Sequence, residues 1–257
     1  MQFDDDLIAC AAMVEKADPP RFRSVMAAPV AARAVLFPLY AFNIEAARAP
    51  WVTQEPMIAE MRLQWWRDVC EEITAGGPVR RHEVATPLAR AITGAQAQVL
   101  DTLVAARRWD IYKDAFEDQA HFDRYIDETA GGLMWVAAGA LGPAEERVVR
   151  DAGYGAGVAN WLLAVPELEA RGRVPLVDGT TEGVRSLARA ALDRLTRARG
   201  NRAAVSRSAR PALLAVGHAD AVLRAAIADP RRVASGALPQ PSAGGPGLAW
   251  SALTGRW

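Results

Sequence analysis

The stretch "LYAFNIEAARAP", residues 39 to 50, decides the fold. It reads as the core of a helix, placed over 31–48. Ala46, Ala47, Arg48 and Ala49 follow, and Glu45 is the only carboxylate in that turn. The same habit extends in both directions. Alanine, leucine and arginine dominate, β-branched runs are short, and apolar residues recur at intervals of three and four, which is the helical period.

Helices are predicted over 5–16, capped by the run Asp4 to Asp6, and over 20–29, 31–48, 55–74, 85–108, 111–118, 121–141, 144–164, 183–199, 207–228 and 246–254. Breaks fall where proline and glycine cluster: "ADPP" at 17–20, "AGGP" at 75–78, "LGP" at 141–143 and "RGRVP" at 171–175. The stretch "LPQPSAGGPG", 238–247, reads as a linker to a short C-terminal helix. Trp250 and Trp257 should dock that helix on the body, because exposed tryptophan is costly. No internal repeat or domain boundary is visible, so residues 1–257 are read as one all-α domain.

Composition narrows the function. Half of the 257 residues are apolar, enough for a large buried core. Thirty Lys and Arg balance thirty Asp and Glu, and no basic run of the kind that tracks phosphate backbones is present, which argues against nucleic acid. Cys10 and Cys70 are far apart and have no C-x-x-C or histidine partner, so both are expected to be buried thiols. The start, "MQFDDDLIAC", is acidic where a secretory signal is basic, and no uninterrupted apolar run approaches the roughly 18–20 residues of a membrane span. The expected location is the cytoplasm.

Three segments carry the candidate chemistry. In "MIAEMRLQWWRDVCEEI", 57–73, Ile58, Met61, Trp65 and Val69 form a stripe at helical spacing, with Arg62, Trp66 and Ile73 beside it. That stripe is either a core face or the wall of an apolar pocket with a charged mouth. In "DRYIDETAGGLMWVAAGALG", 123–142, Gly131, Gly132 and Gly139 each cost a helix about 1 kcal/mol relative to alanine, so close packing or room for a ligand must offset them. In "DAGYGAGVANWLLAVPELEARGRVPLVDG", 151–179, Pro166 should kink or end the helix. Glu167 and Glu169, two positions apart, point about 200° from one another on a helix and cannot clasp one metal ion. His82, His121 and His218 are scattered, and the glycine pairs do not follow a strand, so zincin, dinucleotide and P-loop readings fail.

Taken in order, "FRSVMAAPVAARAVLFPLYAFN", "MRLQWWRDVCEEI", "YIDETAGGLM" and "GVANWLLAVPELEARGRVPL" resemble the squalene and phytoene synthase family over most of the chain. The resemblance implies one helical bundle around a deep cavity, with apolar tails inside and diphosphates at the mouth. It also implies two Asp-rich motifs on facing helices, because Mg²⁺ held by carboxylates neutralises the departing diphosphate. The positions matching the first motif are Ala47, Arg48 and Trp51. Those matching the second are Ala164 and Leu168, with Leu163 where its arginine should be. None is acidic, and without metal ligands the rate of carbocation chemistry should fall by orders of magnitude.

Within the family, "LYAFNIEAAR", the tryptophan helix and the terminal "GRW" look most like a divergent branch that includes mitochondrial complex I assembly factors and their bacterial relatives. This resemblance implies a non-catalytic accessory or assembly factor with no cofactor. It allows an isoprenoid or lipid ligand, a protein partner in respiratory-complex assembly, and peripheral contact with the inner membrane. The expected cavity wall is Phe37, Tyr40, Phe42, Asn43, Trp65, Leu133, Met134, Asn160 and Trp161. Ser24, Arg33, Arg48, Arg62 and Arg173 would meet an anionic head, unless the arginines are surface charges or pair with Glu45 and Glu60. The alternative is an active prenyl transferase with Mg²⁺ on a reduced set, Glu45 with Glu167 or Glu169. A third reading, a plain helical interaction module, would have a filled interior rather than a void of several hundred Å³ or so.

Overall fold

A computed structural model describes residues 4–241 and 246–257. Helix α1 (Asp5–Ala17) is capped by Asp4, whose Oδ1 accepts from the Leu7 N–H at 2.9 Å, and α2 (Pro19–Ala27) is capped in the same way by Asp18. Helix α3 (Val30–Arg48) is buried on nearly every side from Leu36 to Asn43, as expected of a helix that is apolar all round. It is long and apolar enough to cross a membrane by length and composition, although Arg33 and Glu45 interrupt it, and so is the segment Arg210–Ala228. Most of α3 lies inside the fold, packed on α1, α2, α5 (Ala85–Ala91) and α8 (Gly132–Leu141).

Helix α4 (Pro56–Thr74) packs on α6 (Gly94–Ala106). Its buried face is Ala59, Leu63, Trp66, Val69, Cys70 and Ile73, whereas Ile58 and Met61 point outward. The predicted stripe is therefore rotated. Two overlapping apolar stripes compete on this helix, and the edge-on contact of Trp66 with Phe42, centroids 5.2 Å apart, goes with the one turned inward.

The predicted helix 85–108 is two helices. Ile92 is extended, and Thr93 starts α6 with a capping box in which its hydroxyl accepts from the Gln96 N–H while Gln96 accepts from the Thr93 N–H. A 3₁₀ turn, Arg107–Asp110, follows, and residues 111–118 are irregular rather than helical. Next comes a continuous run made of α7 (Gln119–Ile126), a π turn (Asp127–Gly131) and α8.

Helix α9 (Glu146–Ala170) passes through Pro166 without breaking, although Pro166 was expected to kink or end it. It lies against α8, α10 (Thr181–Gly200) and α11 (Ala219–Ala228), and buried Val165 and Leu168 hold it on both sides of the proline. The segment predicted as 207–228 opens with a 3₁₀ stretch, Arg210–Val216, before α11, and a short α12 (Arg231–Ala234) follows. The expected linker at 238–247 lies partly outside the described residues. Helix α13 (Pro246–Thr254) forms where predicted, but only Trp257 docks, while Trp250 is exposed.

The glycines serve close packing. A Cβ on Gly157 would stand 2.6 Å from the Ala130 Cβ and 2.8 Å from the Ile126 Cγ2, and one on Gly153 would stand 2.9 Å from the Ala130 carbonyl. Helix α9 thus seats directly on the π turn. Both cysteines are buried and unpaired, and burial pushes each thiol up to about 12, the behaviour of an inert core residue.

Candidate functional site

Between the end of α3, the π turn and α9 lies a cavity of about 660 Å³. Helical spacing explains its two longest walls. Asn43, Ala47, Arg48 and then Trp51 recur along one side of α3 and the residues after it, and Gly157, Asn160, Trp161, Ala164 and Leu168 do so along α9. The π turn and its flanks contribute Tyr125, Thr129, Ala130 and Leu133, the 3₁₀ turn contributes Arg107 and Asp110, and Asp18, Arg21 and His218 complete the rim.

A buried polar cluster anchors one side. The Tyr125 hydroxyl lies 2.8 and 2.9 Å from the two Asp110 carboxylate oxygens, and Arg107 Nη1 donates to that hydroxyl at 2.7 Å and to Asp110 at 3.1 Å. Burial pushes the Tyr125 phenol far up, so it is a neutral donor. Burial alone would lower the Arg107 pKa, but Tyr125 and Asp110 outweigh it and hold the guanidinium charged. Arg173 donates to the Asp110 carbonyl and lies 5.3 Å over Trp109. Trp51 is flanked by two guanidinium groups, those of Arg171 at 4.8 Å and Arg173 at 4.9 Å.

The rim is paired as well. Arg48 meets Glu45 at 2.9 Å, Arg21 meets Asp18 at 2.7 Å, and Glu167 meets Arg171 at 2.5 Å. His218 Nε2 lies 2.7 Å from the Asn160 Oδ1. Burial, with nearby Arg21, lowers the His218 pKa below 6.5, which favours the neutral ring.

Of the residues expected at the site, Asn43, Arg48, Leu133, Asn160, Trp161 and Glu167 line this cavity. Phe37, Tyr40, Phe42 and Met134 do not. They belong to the packed core, where Phe37 meets Phe22 and Phe42 meets Trp66. Glu45, Arg62 and Trp65 border a separate groove of about 510 Å³ on the outer side of α4, with Ile58, Met61 and His82. Ser24 donates to the Arg21 carbonyl and faces a hollow beside α13, and Arg33 donates to the Met26 carbonyl. Arg173 and Glu169 border a further hollow near α12.

The sequence reading missed Asp18, Arg21, Arg107, Asp110, Tyr125, Thr129 and His218. Arg107 and Asp110 stand three apart on one turn, but the predicted helix stopped at residue 108 and left Asp110 in the gap before 111, so the pair had no common face on which to be seen.

The arrangement of helices around this cavity defines an isoprenoid synthase fold. It superposes on a crystal structure of a dehydrosqualene synthase in complex with ligand, with a TM-score of 0.76 at 15% identity over 98% of this chain and 95% of that one. It also superposes on squalene synthase HpnC from Alicyclobacillus acidocaldarius, with a TM-score of 0.69 at 19% identity over 91% and 95%. The Squalene/phytoene synthase family profile matches residues 14–177, and the chain belongs to that family. Curated relatives are complex I assembly factors. The chain is 24% identical to human NADH dehydrogenase (ubiquinone) complex I, assembly factor 6, over 64% of this chain and 51% of that protein, and 25% identical to its Drosophila melanogaster homolog over 65% and 53%. It spans about half the length of these relatives.

The fold family implies a magnesium-bound diphosphate, and the residues present do not fit one. Among the described residues no three His, Cys, Asp or Glu side chains converge. The three glutamates of the reduced set, Glu45, Glu167 and Glu169, border three different hollows. The acids that do line the cavity, Asp18, Asp110 and Glu167, are each bonded to an arginine.

Proposed function

We propose that the protein is a non-catalytic accessory or assembly factor on a synthase fold, acting in the assembly of a respiratory complex of the complex I type and holding an isoprenoid or lipid in its cavity. One observation carries the reading. Ala47, Arg48, Trp51, Ala164 and Leu168, the positions matching the two Asp-rich motifs, all line one cavity, and none offers a carboxylate. The cavity between these positions therefore has no carboxylate at them to hold a metal ion against a departing diphosphate, which supports a non-catalytic role. The kinship with complex I assembly factors supports the assembly role. The reading puts the protein in the cytoplasm, peripheral to the inner membrane, where fractionation should recover it.

The test is to incubate the purified protein with geranylgeranyl diphosphate, with and without Mg²⁺, and assay released diphosphate. No release above the protein-free control is expected. Mg²⁺-dependent release would overturn the non-catalytic reading. Deleting the gene in its host should reduce assembled complex I on native gels, and an unchanged complex I band would remove the assembly role.

A further inference from the structure

Helix α13 has apolar side chains on both sides. Leu248 and Ala252 turn inward against the core, where the helix packs on α2 and on the 3₁₀ stretch Arg210–Val216. Trp250 and Leu253, three positions apart and so on one face, turn outward and are 63% and 85% exposed. Nothing among the described residues covers them, although an outward tryptophan is costly in water. Met26 is exposed as well, one turn beyond the Arg23 that borders the hollow beside α13, and so is Val30.

The charges of this part of the chain supply a second, independent observation. The whole chain is balanced, yet residues 202–257 carry seven arginines against two aspartates, and no acid follows Asp229. Both aspartates are already engaged, Asp220 with Arg199 and Arg224 and Asp229 with Arg231. Arg202, Arg210 and Arg232 donate to backbone carbonyls, and these three, like the exposed Arg207 and Arg256, meet no carboxylate among the described residues. Arg210 lies against α13 itself, since a Cβ on Gly255 would stand 3.1 Å from its Cδ. Such an asymmetry in a neutral chain marks a surface for a negatively charged partner. The other exposed apolar residues on one helix, Met57, Ile58 and Met61, lack this complement, because α4 carries Glu60, Asp68, Glu71 and Glu72 against Arg62 and Arg67.

We propose that α13 docks the protein on an anionic bilayer, with Trp250 and Leu253 entering the interface and Arg210 and Arg256 meeting the lipid headgroups. A tryptophan ring sits well at that depth, and a short helix with an apolar outer face and basic flanks lies in the plane of the surface rather than across it. The apolar pair alone would suit a protein groove too. The cations beside it, in a stretch with no acid after Asp229, select an anionic surface. The proposal rests on the reading of the protein as peripheral to a membrane, and it names the face and the lipid class.

The test is co-sedimentation of the full chain with vesicles of phosphatidylcholine alone, or of phosphatidylcholine with phosphatidylglycerol, at low and high salt. Binding should be at least about tenfold stronger with phosphatidylglycerol present and should weaken as salt rises. The double variant Trp250→Ser, Leu253→Ser, checked by circular dichroism for an unchanged melt, should lose about tenfold, whereas Met57→Ser with Met61→Ser should lose nothing. Arg256→Gln should weaken binding to the phosphatidylglycerol vesicles about fivefold and leave binding to phosphatidylcholine alone unchanged. Equal binding to both compositions would overturn the anionic-lipid proposal, and that comparison needs no variant to fold. Unchanged binding by the folded double variant would remove α13 as the docking element and leave the peripheral reading standing. Binding to neither vesicle would remove both.

Discussion

Asp110 answers to two partners at once, which makes it the most consequential single side chain beside the cavity. Asp110→Ala would leave the buried Arg107 without its counter-charge and the Tyr125 hydroxyl without an acceptor. Breaking a buried pair from one side costs about 3–5 kcal/mol, so urea unfolding of the variant should show a loss of that order. His218 supplies a pH dependence. Its folded pKa lies below 6.5, so the unfolded chain binds the proton first. The stability from keeping the ring neutral is full above about 6.5 and is lost as pH falls through and below that value. His218→Gln, which can still donate to Asn160, should flatten the drop in melting temperature between pH 7.5 and pH 5.5. Neither residue was legible as part of a site. His218 looked isolated because its partner, Asn160, is fifty-eight positions away, and no periodicity links residues on different helices.

Among the elements, α9 is held by close approach. Gly157→Ala would push a methyl into Ala130 and Ile126 across from the π turn. Such overpacking costs about 1–3 kcal/mol, read as a shift in the denaturation midpoint at unchanged slope. The sequence singled out glycines in the facing segment and left open whether packing or a ligand explained them. Gly132 and Gly139 sit against Val99 and Gln96, which is packing. Helix existence was mostly legible, because the 3.6-residue period survives any tertiary arrangement. The failures have local causes. The capping box at Thr93 outweighed helix propensity over 85–108, packing on both sides carried α9 through Pro166, and α4 had two usable apolar faces of which α6 and Phe42 selected one.

For the molecule as a whole, the buried apolar residues form one contact cluster that runs from Leu7 in α1 to Trp257. Folding as a single domain would make helix content by circular dichroism and tryptophan fluorescence melt together, and two separated transitions would contradict it. At this scale the sequence was most informative, since four segments in the right order carried both the fold and the place where the family's metal ligands should be. It was least informative about what fills their place. The wall draws on residues from Asp18 to His218, which come together only once the chain is folded.

The π turn at Asp127–Gly131 has a consequence for how this chain can vary. It inserts one residue into an otherwise unbroken helical run from Gln119 to Leu141. Deleting that residue would let the run relax to ordinary winding, turning everything beyond it by about 100° and drawing it back about 1.5 Å. Leu133 would swing off the cavity wall while Gly132 and Gly139 lost their neighbours. The turn therefore acts as a phase setter, and a single-codon deletion within it should be far less tolerated than a conservative substitution at the same place.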